Sequence, residues 1–372
     1  MTSSADAPAS QVYSWEPSNS WIAAQHGVDP ARILRFDLNT STATPAFVPQ
    51  VLAGTFDPPL HEYPDSLYAE LAEAAAGYVG AGRYEILVGA GMDEVLDIIA
   101  KSFIRPGGRA IVPIPTYSMY GVLTGQRTAT IDAVPRLPAA AGFGLDVDAI
   151  VARMPGADLV WLCAPNNPTG APEPAEPLGR VEDAHERLGP GAPVVIVDEA
   201  YHEFTGQTLV PLRGRYPHLV VTRTLSKAFA LPGARVGYAV AGRATIERME
   251  RNRPPGSVAT ISAALGARAL RDPGYALATA AAIPAERTWL ATALTAAGWP
   301  VHPSVTNFIL ARVGTPEETE AATLHLLRNG IVSRTFGPAH PLRGHLRFTV
   351  RTRPDNERLV AAARAFRDGG TR

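Results

Sequence analysis

Short, uninterrupted apolar runs constrain this chain more than any other feature. Leu159 to Ala164, Val194 to Val197 and Leu219 to Thr222 are dense in Val, Ile and Leu. A strand with one wet face alternates apolar and polar residues. A run without alternation suits a strand covered on both faces, as in a mostly parallel sheet between helices. Arg83 to Val88 and Arg109 to Pro113 read as further strands. Asp65 to Val79 (Leu67, Leu71, Ala74, Ala75) and Asp93 to Phe103 (Val95, Leu96, Ile98, Ile99, Phe103) carry apolar residues at helical spacing. Strand and helix alternate over roughly 200 residues, which predicts an α/β layered domain.

After Pro254-Pro255-Gly256 the texture changes. Val258 to Arg271 and Tyr275 to Ala297 are alanine-rich and helical, as are Glu317 to Asn329 and Pro354 to Asp368. Val301, Asn307 to Ala311 and Leu346 to Val350 suggest a smaller sheet. The expected organisation is an N-terminal arm over 1–35, a large domain over 36–260 and a smaller α+β domain over 261–372.

Composition narrows the function classes. Hydrophobic residues make up 46% and charged residues 19%, which fits a globular enzyme and not a disordered chain. With 34 basic and 35 acidic residues, the formal net charge of −1 offers no global field for nucleic acid or an anionic membrane. Neither a bilayer-spanning apolar stretch nor a secretory signal is seen, so a cytoplasmic location is expected. The single cysteine, Cys163, excludes an internal disulfide and reads as a packing residue in a buried strand. No metal is expected.

Three polar segments follow apparent strands: Ala164-Pro-Asn-Asn-Pro-Thr-Gly170, Asp198-Glu-Ala-Tyr201, and the stretch from Thr222 to Gly237 that contains Ser226-Lys227 and Arg235. In open α/β sheets ligands bind outside the carboxyl ends of strands. Taken alone, Asp198 suits a helix N-cap, Asn167 a turn before Pro168, and Tyr63-Pro64-Asp65 a turn. Lys227 lies between apolar runs in a lysine-poor chain.

Together, the segments resemble the fold-type-I pyridoxal-phosphate (PLP) aminotransferases of class I/II, most closely the histidinol-phosphate aminotransferase group, over nearly the whole chain from about Tyr13 to Leu359. The resemblance implies a large domain with a mostly parallel sheet and a smaller α+β domain. It implies that Lys227 binds the PLP aldehyde and moves a proton, and that Asp198 keeps the pyridine nitrogen protonated. By the same likeness, Tyr201 and Asn167 bond the pyridine oxygen, and Tyr117 stacks on the ring. Gly91, Met92 and Asp93 bring a helix N-terminus to the phosphate, joined by Thr224, Ser226 and Arg235. Tyr63 reaches the phosphate of a neighbouring subunit, so a homodimer is implied. Arg347 and Arg334 hold the anionic group of the substrate, although a structural salt bridge also suits Arg334.

The chain departs from the group at the substrate end. Leu38-Asn-Thr-Ser-Thr-Ala-Thr-Pro45 stands where Asn-Glu-Asn-Pro is usual, keeping only Asn39. Gly256-Ser257-Val258 replaces an aromatic and an Asn, and Pro232 replaces a small residue. The implied partners are an amino donor and a 2-oxo acid. Histidinol phosphate with 2-oxoglutarate leads, in histidine biosynthesis. An aromatic amino acid donor, or decarboxylation of the threonine-phosphate type, are the alternatives. A dinucleotide fingerprint fails, because its third glycine would fall at Glu94, and no P-loop occurs. A PLP-fold transcription regulator would need a DNA-binding domain that a 35-residue arm is not expected to supply.

Overall fold

The computed structural model describes residues 17–173 and 175–369. Tyr13, where the resemblance begins, and the first 16 residues of the expected arm lie outside them. The strands are β1 (Leu34–Arg35), β2 (Ile86–Gly89), β3 (Arg109–Ile114), β4 (Thr130–Pro135), β5 (Leu159–Cys163), β6 (Val194–Asp198), β7 (Leu219–Thr224), β8 (Gly237–Ala241), β9 (Phe308–Arg312), β10 (Ile331–Val332) and β11 (His345–Thr349).

Seven of these form one sheet in the order β2-β8-β7-β6-β5-β3-β4. β3 is parallel to β4 and β5, β5 to β6, and β6 to β7, whereas β8 runs antiparallel to both β7 and β2. One reversed strand in a parallel sheet leaves the carboxyl ends of β2, β3, β5, β6 and β7 on a common edge.

The apolar runs have a direct structural cause. Along β5, Val160 and Leu162 enter one buried cluster, while Leu159, Trp161 and Cys163 enter another. Along β6, Val195 and Val197 belong to the first cluster, and Val194 and Ile196 to the second. Alternate side chains point to opposite faces, so a sheet with two cores needs apolar residues at every position. Cys163 is buried, as a packing role requires.

Two elements start later than their periodicity suggests. The helix expected from Asp65 is Ala69–Val79. The Asp65 carboxylate accepts from the N–H groups of Leu67 and Ala69, and Tyr68 sits at φ 46°, so the chain turns before it coils. Arg83–Glu85 forms a 3₁₀ turn in place of the expected strand start, held by Glu85 Oε2 accepting from Gly82 N–H at 2.7 Å.

The C-terminal part packs its own core, including Leu290, Trp299, Ile309, Leu346, Phe348 and Leu359. β9 and β11 pair antiparallel within it. Two segments find partners across the expected boundaries. Phe36 enters this C-terminal core and β1 pairs with β10, while the helix Thr260–Arg271 packs on Ala69–Val79. Among the described residues no helix is long and apolar enough to cross a membrane, and no His, Cys, Asp and Glu group could hold a metal.

Candidate active site

The common edge of the sheet opens into a cavity of about 340 Å³, lined by Lys227, Asp198, Tyr201, Asn167, Asp93, Tyr117, Met92, Thr224, Ser226 and Arg235. A neighbouring cavity of about 500 Å³ shares Lys227, Asn167, Tyr117 and Tyr201, and adds Asn39, Arg334 and Arg347. Fourteen of the fifteen residues singled out in the sequence thus stand at or beside one place: thirteen line these cavities, and Gly91 caps the helix that opens onto them. Tyr63 is the exception. It is 92% exposed and lines neither cavity.

Asp198 is the last residue of β6 and is buried. Tyr120 O–H donates to its Oδ2 at 2.6 Å and Ala200 N–H to its Oδ1 at 3.0 Å. Burial pushes the carboxyl up to about 6, against the lowering effect of those two bonds. Tyr120 escaped the sequence reading, although it lies three residues after Tyr117. It stacks on Trp161 with centroids 5.1 Å apart, so the hydroxyl is held by a ring that cannot tilt freely.

Lys227 lies in the loop that leaves β7. Its Nζ donates to Leu38 O at 3.4 Å and sits 5.9 Å from the Tyr201 ring centroid. Burial and then the charge of Arg347 draw its pKa down to about 8, while Asp93 and Asp198 pull the other way. Such a lysine is partly neutral near physiological pH, the form in which an amine is a nucleophile or base.

Gly91 caps the helix Met92–Phe103 with φ 85°. A Cβ built there would collide with the Arg235 guanidinium, so glycine is what lets that group approach. The first-turn amides of a helix have no acceptor within it and carry the positive end of its dipole. Arg235 Nη2 meets Asp93 Oδ2 at 3.2 Å, and Tyr117 O–H donates to Asp93 Oδ1 at 2.9 Å. Thr224 O–H donates to Ser226 Oγ at 3.0 Å. The result is an anion cradle of amides, hydroxyls and one guanidinium.

The other end of the site is tied together by long-range bonds. Arg347 Nη1 donates to Asn167 Oδ1 at 2.6 Å, and Nη2 donates to Asp37 O. Arg334 and Arg347 are bridged backbone to backbone, with both N–H···O distances 3.1 Å. Asn39 is buried at φ 54°. Its Nδ2 donates to Tyr201 Oη at 3.0 Å, and its N–H donates to Thr349 Oγ1 at 2.9 Å. Phe336 and His340, not singled out in the sequence, stack at 4.8 Å on the wall beside Arg334. They follow Arg334 on the same segment, within six residues of it, and that proximity was the signal available in the sequence.

A free amine, a buried carboxylate and an anion cradle around one cavity match the three functional ends of PLP: aldehyde, ring nitrogen and phosphate. Comparison with known proteins agrees. The family model for aminotransferase class I and II matches residues 41–363. A histidinol-phosphate aminotransferase of Dehalococcoides mccartyi is 35% identical over 335 residues, covering 89% of each chain. One from Mycobacterium avium is 38% identical over 317 residues, covering 82% of this chain and 75% of its own. The crystal structure of histidinol-phosphate aminotransferase from Sinorhizobium meliloti in complex with pyridoxal-5'-phosphate shares the fold, with a TM-score of 0.85, 24% identity and 96% of each chain covered. On its sequence and its fold, the chain belongs to the class I and II aminotransferases.

Proposed function

We propose that this enzyme moves the amino group of histidinol phosphate to 2-oxoglutarate, in histidine biosynthesis, with PLP as its cofactor. It would act as a cytoplasmic homodimer in which the exposed Tyr63 reaches the partner's phosphate site. The observation that carries the reading is the single cavity faced by Lys227, Asp198 and Arg235. The histidinol-phosphate relatives support the choice of amine.

Lys227 would hold the cofactor by its aldehyde and Asp198 would face the ring nitrogen. Asn167 and Tyr201 would meet the ring oxygen. Met92, Asp93, Thr224, Ser226 and Arg235 would hold the phosphate. When bound, PLP supplies an electron sink for the negative charge that develops at the amine-bearing carbon of the substrate.

The chain's own residues do the rest. Lys227, with a pKa near 8, takes a proton at that carbon in its neutral form and can return it as the ammonium. Asp198 is pushed up by burial, so a cation placed against it draws it back to the ionised form. The two charges stabilise each other in a site with little water. Arg347 and Arg334 offer donors to an anionic substrate group, and the bond from Arg347 to Asn167 couples that end to the cofactor end.

A single-turnover experiment tests the proposal. The PLP-loaded enzyme is mixed separately with histidinol phosphate, phenylalanine, glutamate and threonine phosphate, and its absorbance is followed. Fast conversion to the pyridoxamine form by histidinol phosphate, well ahead of phenylalanine, is the expected result. A preference for phenylalanine, or gas release from threonine phosphate without conversion, would replace the proposal with one of its rivals.

A further inference from the structure

His340 is held so that only one of its ring nitrogens is left to act. It lies on the segment that follows Arg334, and it lines the cavity that holds Arg334 and Arg347. Leu342 N–H donates to its Nδ1 at 3.1 Å. An amide N–H must face a nitrogen lone pair. This bond therefore settles both the flip of the ring and its tautomer, with the proton on Nε2. A cationic ring would turn a second N–H against that of Leu342. Burial, and then the charge of Arg334, also hold its pKa below the usual histidine value.

The ring is fixed in place as well. It stacks on Phe336, with centroids 4.8 Å and planes 23° apart. Phe336 and Leu342 pack in turn with Phe143, Ala171 and Leu310. Backbone bonds tighten the segment: His340 N–H to Gly337 O at 2.9 Å, Arg343 N–H to His340 O at 3.1 Å and His345 N–H to Leu342 O at 2.9 Å. Within this frame Nε2 stays accessible and meets no acceptor among the described residues. The surrounding charges indicate what such a donor could meet. Among the described residues, Asp37 is the one carboxylate on the cavity wall, and both its oxygens are taken up by Arg35, at 2.8 and 2.7 Å. The remaining charged groups, Arg334 and Arg347, are cationic forks. A fork matches two oxygens in one plane, which suits a carboxylate. A phosphate monoester is tetrahedral, with a third terminal oxygen outside that plane. A donor delivered from another part of the wall can reach it.

We propose that His340 Nε2–H is a further donor to the anionic group of the substrate, and that it favours a phosphate monoester over a carboxylate. His340 is then a specificity-determining residue. The inference deepens the proposed function and rests on its placement of that anionic group beside Arg334 and Arg347. A neutral donor suits an enzyme that must bind two different substrates in turn. It adds a bond where a third oxygen is present, and it adds no fixed charge to hold a carboxylate more tightly where one is not.

The test uses the full-length enzyme loaded with PLP. Two half-reactions, with histidinol phosphate and with glutamate, are followed over a range of concentration to give an apparent Kd for each. His340→Phe keeps the stack on Phe336 and removes the donor, while His340→Gln keeps an N–H near the place of Nε2. The ratio of the two Kd values should shift against histidinol phosphate by about tenfold or more in the Phe variant, as for one lost bond to a charged group, and return toward wild type in the Gln variant. An unshifted ratio in the Phe variant, including an equal loss for both substrates, overturns the proposal. If the Phe variant does not fold, His340→Asn replaces it, since the shorter amide stops short of Nε2. A ratio worse in Asn than in Gln supports the proposal, and equal ratios overturn it. Inorganic phosphate, as a competitor in the glutamate half-reaction, separates this from the choice of amine. Wild-type enzyme that fails to convert with histidinol phosphate removes that choice. Phosphate inhibition that weakens in the Phe variant and not in Gln still supports the role of His340, and inhibition equal in all three enzymes removes it.

Discussion

The two ends of the active site are built in different ways. At the proposed cofactor end, Asp198 closes β6, Thr224 closes β7 and Gly91 opens a helix two residues after β2, so their positions follow from the register of one sheet. At the proposed substrate end, Asn39 and Asn167 come from distant segments to meet Arg334 and Arg347, which are bridged to each other backbone to backbone. Individual bonds hold them, such as Arg347 Nη1 to Asn167 Oδ1 and Asn39 Nδ2 to Tyr201 Oη. A site set by sheet register tolerates change nearby but depends on the identity of each residue for chemistry. A site set by cross-links depends on the links. Damage at the cofactor end should therefore appear in kcat, and damage at the substrate end in KM.

The largest effect is expected for Lys227→Ala, which should lower the single-turnover rate by roughly 10⁴-fold or more, since both a nucleophile and a proton carrier are lost. A rate within tenfold of wild type would remove Lys227 from its role. Asp198→Asn comes next, with a loss of roughly 10²-fold or more in kcat.

The cofactor-free form of that variant gives a second, opposite signal. The Asp198 carboxyl is raised from 3.8 to about 6 in the folded chain. The folded state therefore favours the proton, and this contribution to stability is full below the unfolded pKa and is lost as pH rises through about 6. Above that pH the buried charge costs on the order of 1–3 kcal/mol. Asp198→Asn should then unfold at equal or higher temperature than wild type at pH above about 6, and lose that advantage toward pH about 4. Thermal melts of the cofactor-free proteins at the two pH values check it.

At the other end, Arg347→Lys keeps the charge but breaks the planar fork that spans Asn167 and Asp37. KM for the amino donor should rise about 10- to 100-fold with a smaller change in kcat. An equal fall in kcat would blur the division between the two ends. The smallest effect is expected for Tyr120→Phe. The ring still stacks on Trp161, but Asp198 loses a donor and its pKa rises further. A fall in kcat of about threefold to tenfold is expected, with the acid limb of the pH profile moving to higher pH. An unmoved limb would limit Tyr120 to packing.

The same contrast explains what was legible in the sequence. Val194 to Val197 announces a strand buried on both faces, and the next residue, Asp198, follows at its open end. The periodicity from Asp93 to Phe103 puts Gly91 at a helix start. These readings need only local pattern. The antiparallel pairing of β8 with β2 joins strands about 150 residues apart, and the pairing of β1 with β10 and the entry of Phe36 into the C-terminal core depend on partners some 300 residues away, which no periodicity encodes. Tyr120 was hidden for a related reason: its bond to Asp198 crosses 78 positions. The later start of the helix at Ala69 reflects Asp65 bonding two amides, a local competition that apolar spacing does not register.

The pairing of Thr224 with Gly237 has one more consequence. Both ends of the loop between β7 and β8 are pinned to the same rung of the sheet, and within that loop lie Lys227 and Arg235. On the proposed roles, the segment would work as a ruler of fixed length, with Lys227 as the cofactor's anchor at one mark and Arg235 as the phosphate's charge at another. Inserting or deleting a single residue between the marks would leave every side chain present and the strands paired, yet set the two grips out of step with a rigid ligand. On that reading the spacing itself is a functional element, as much as either residue it separates.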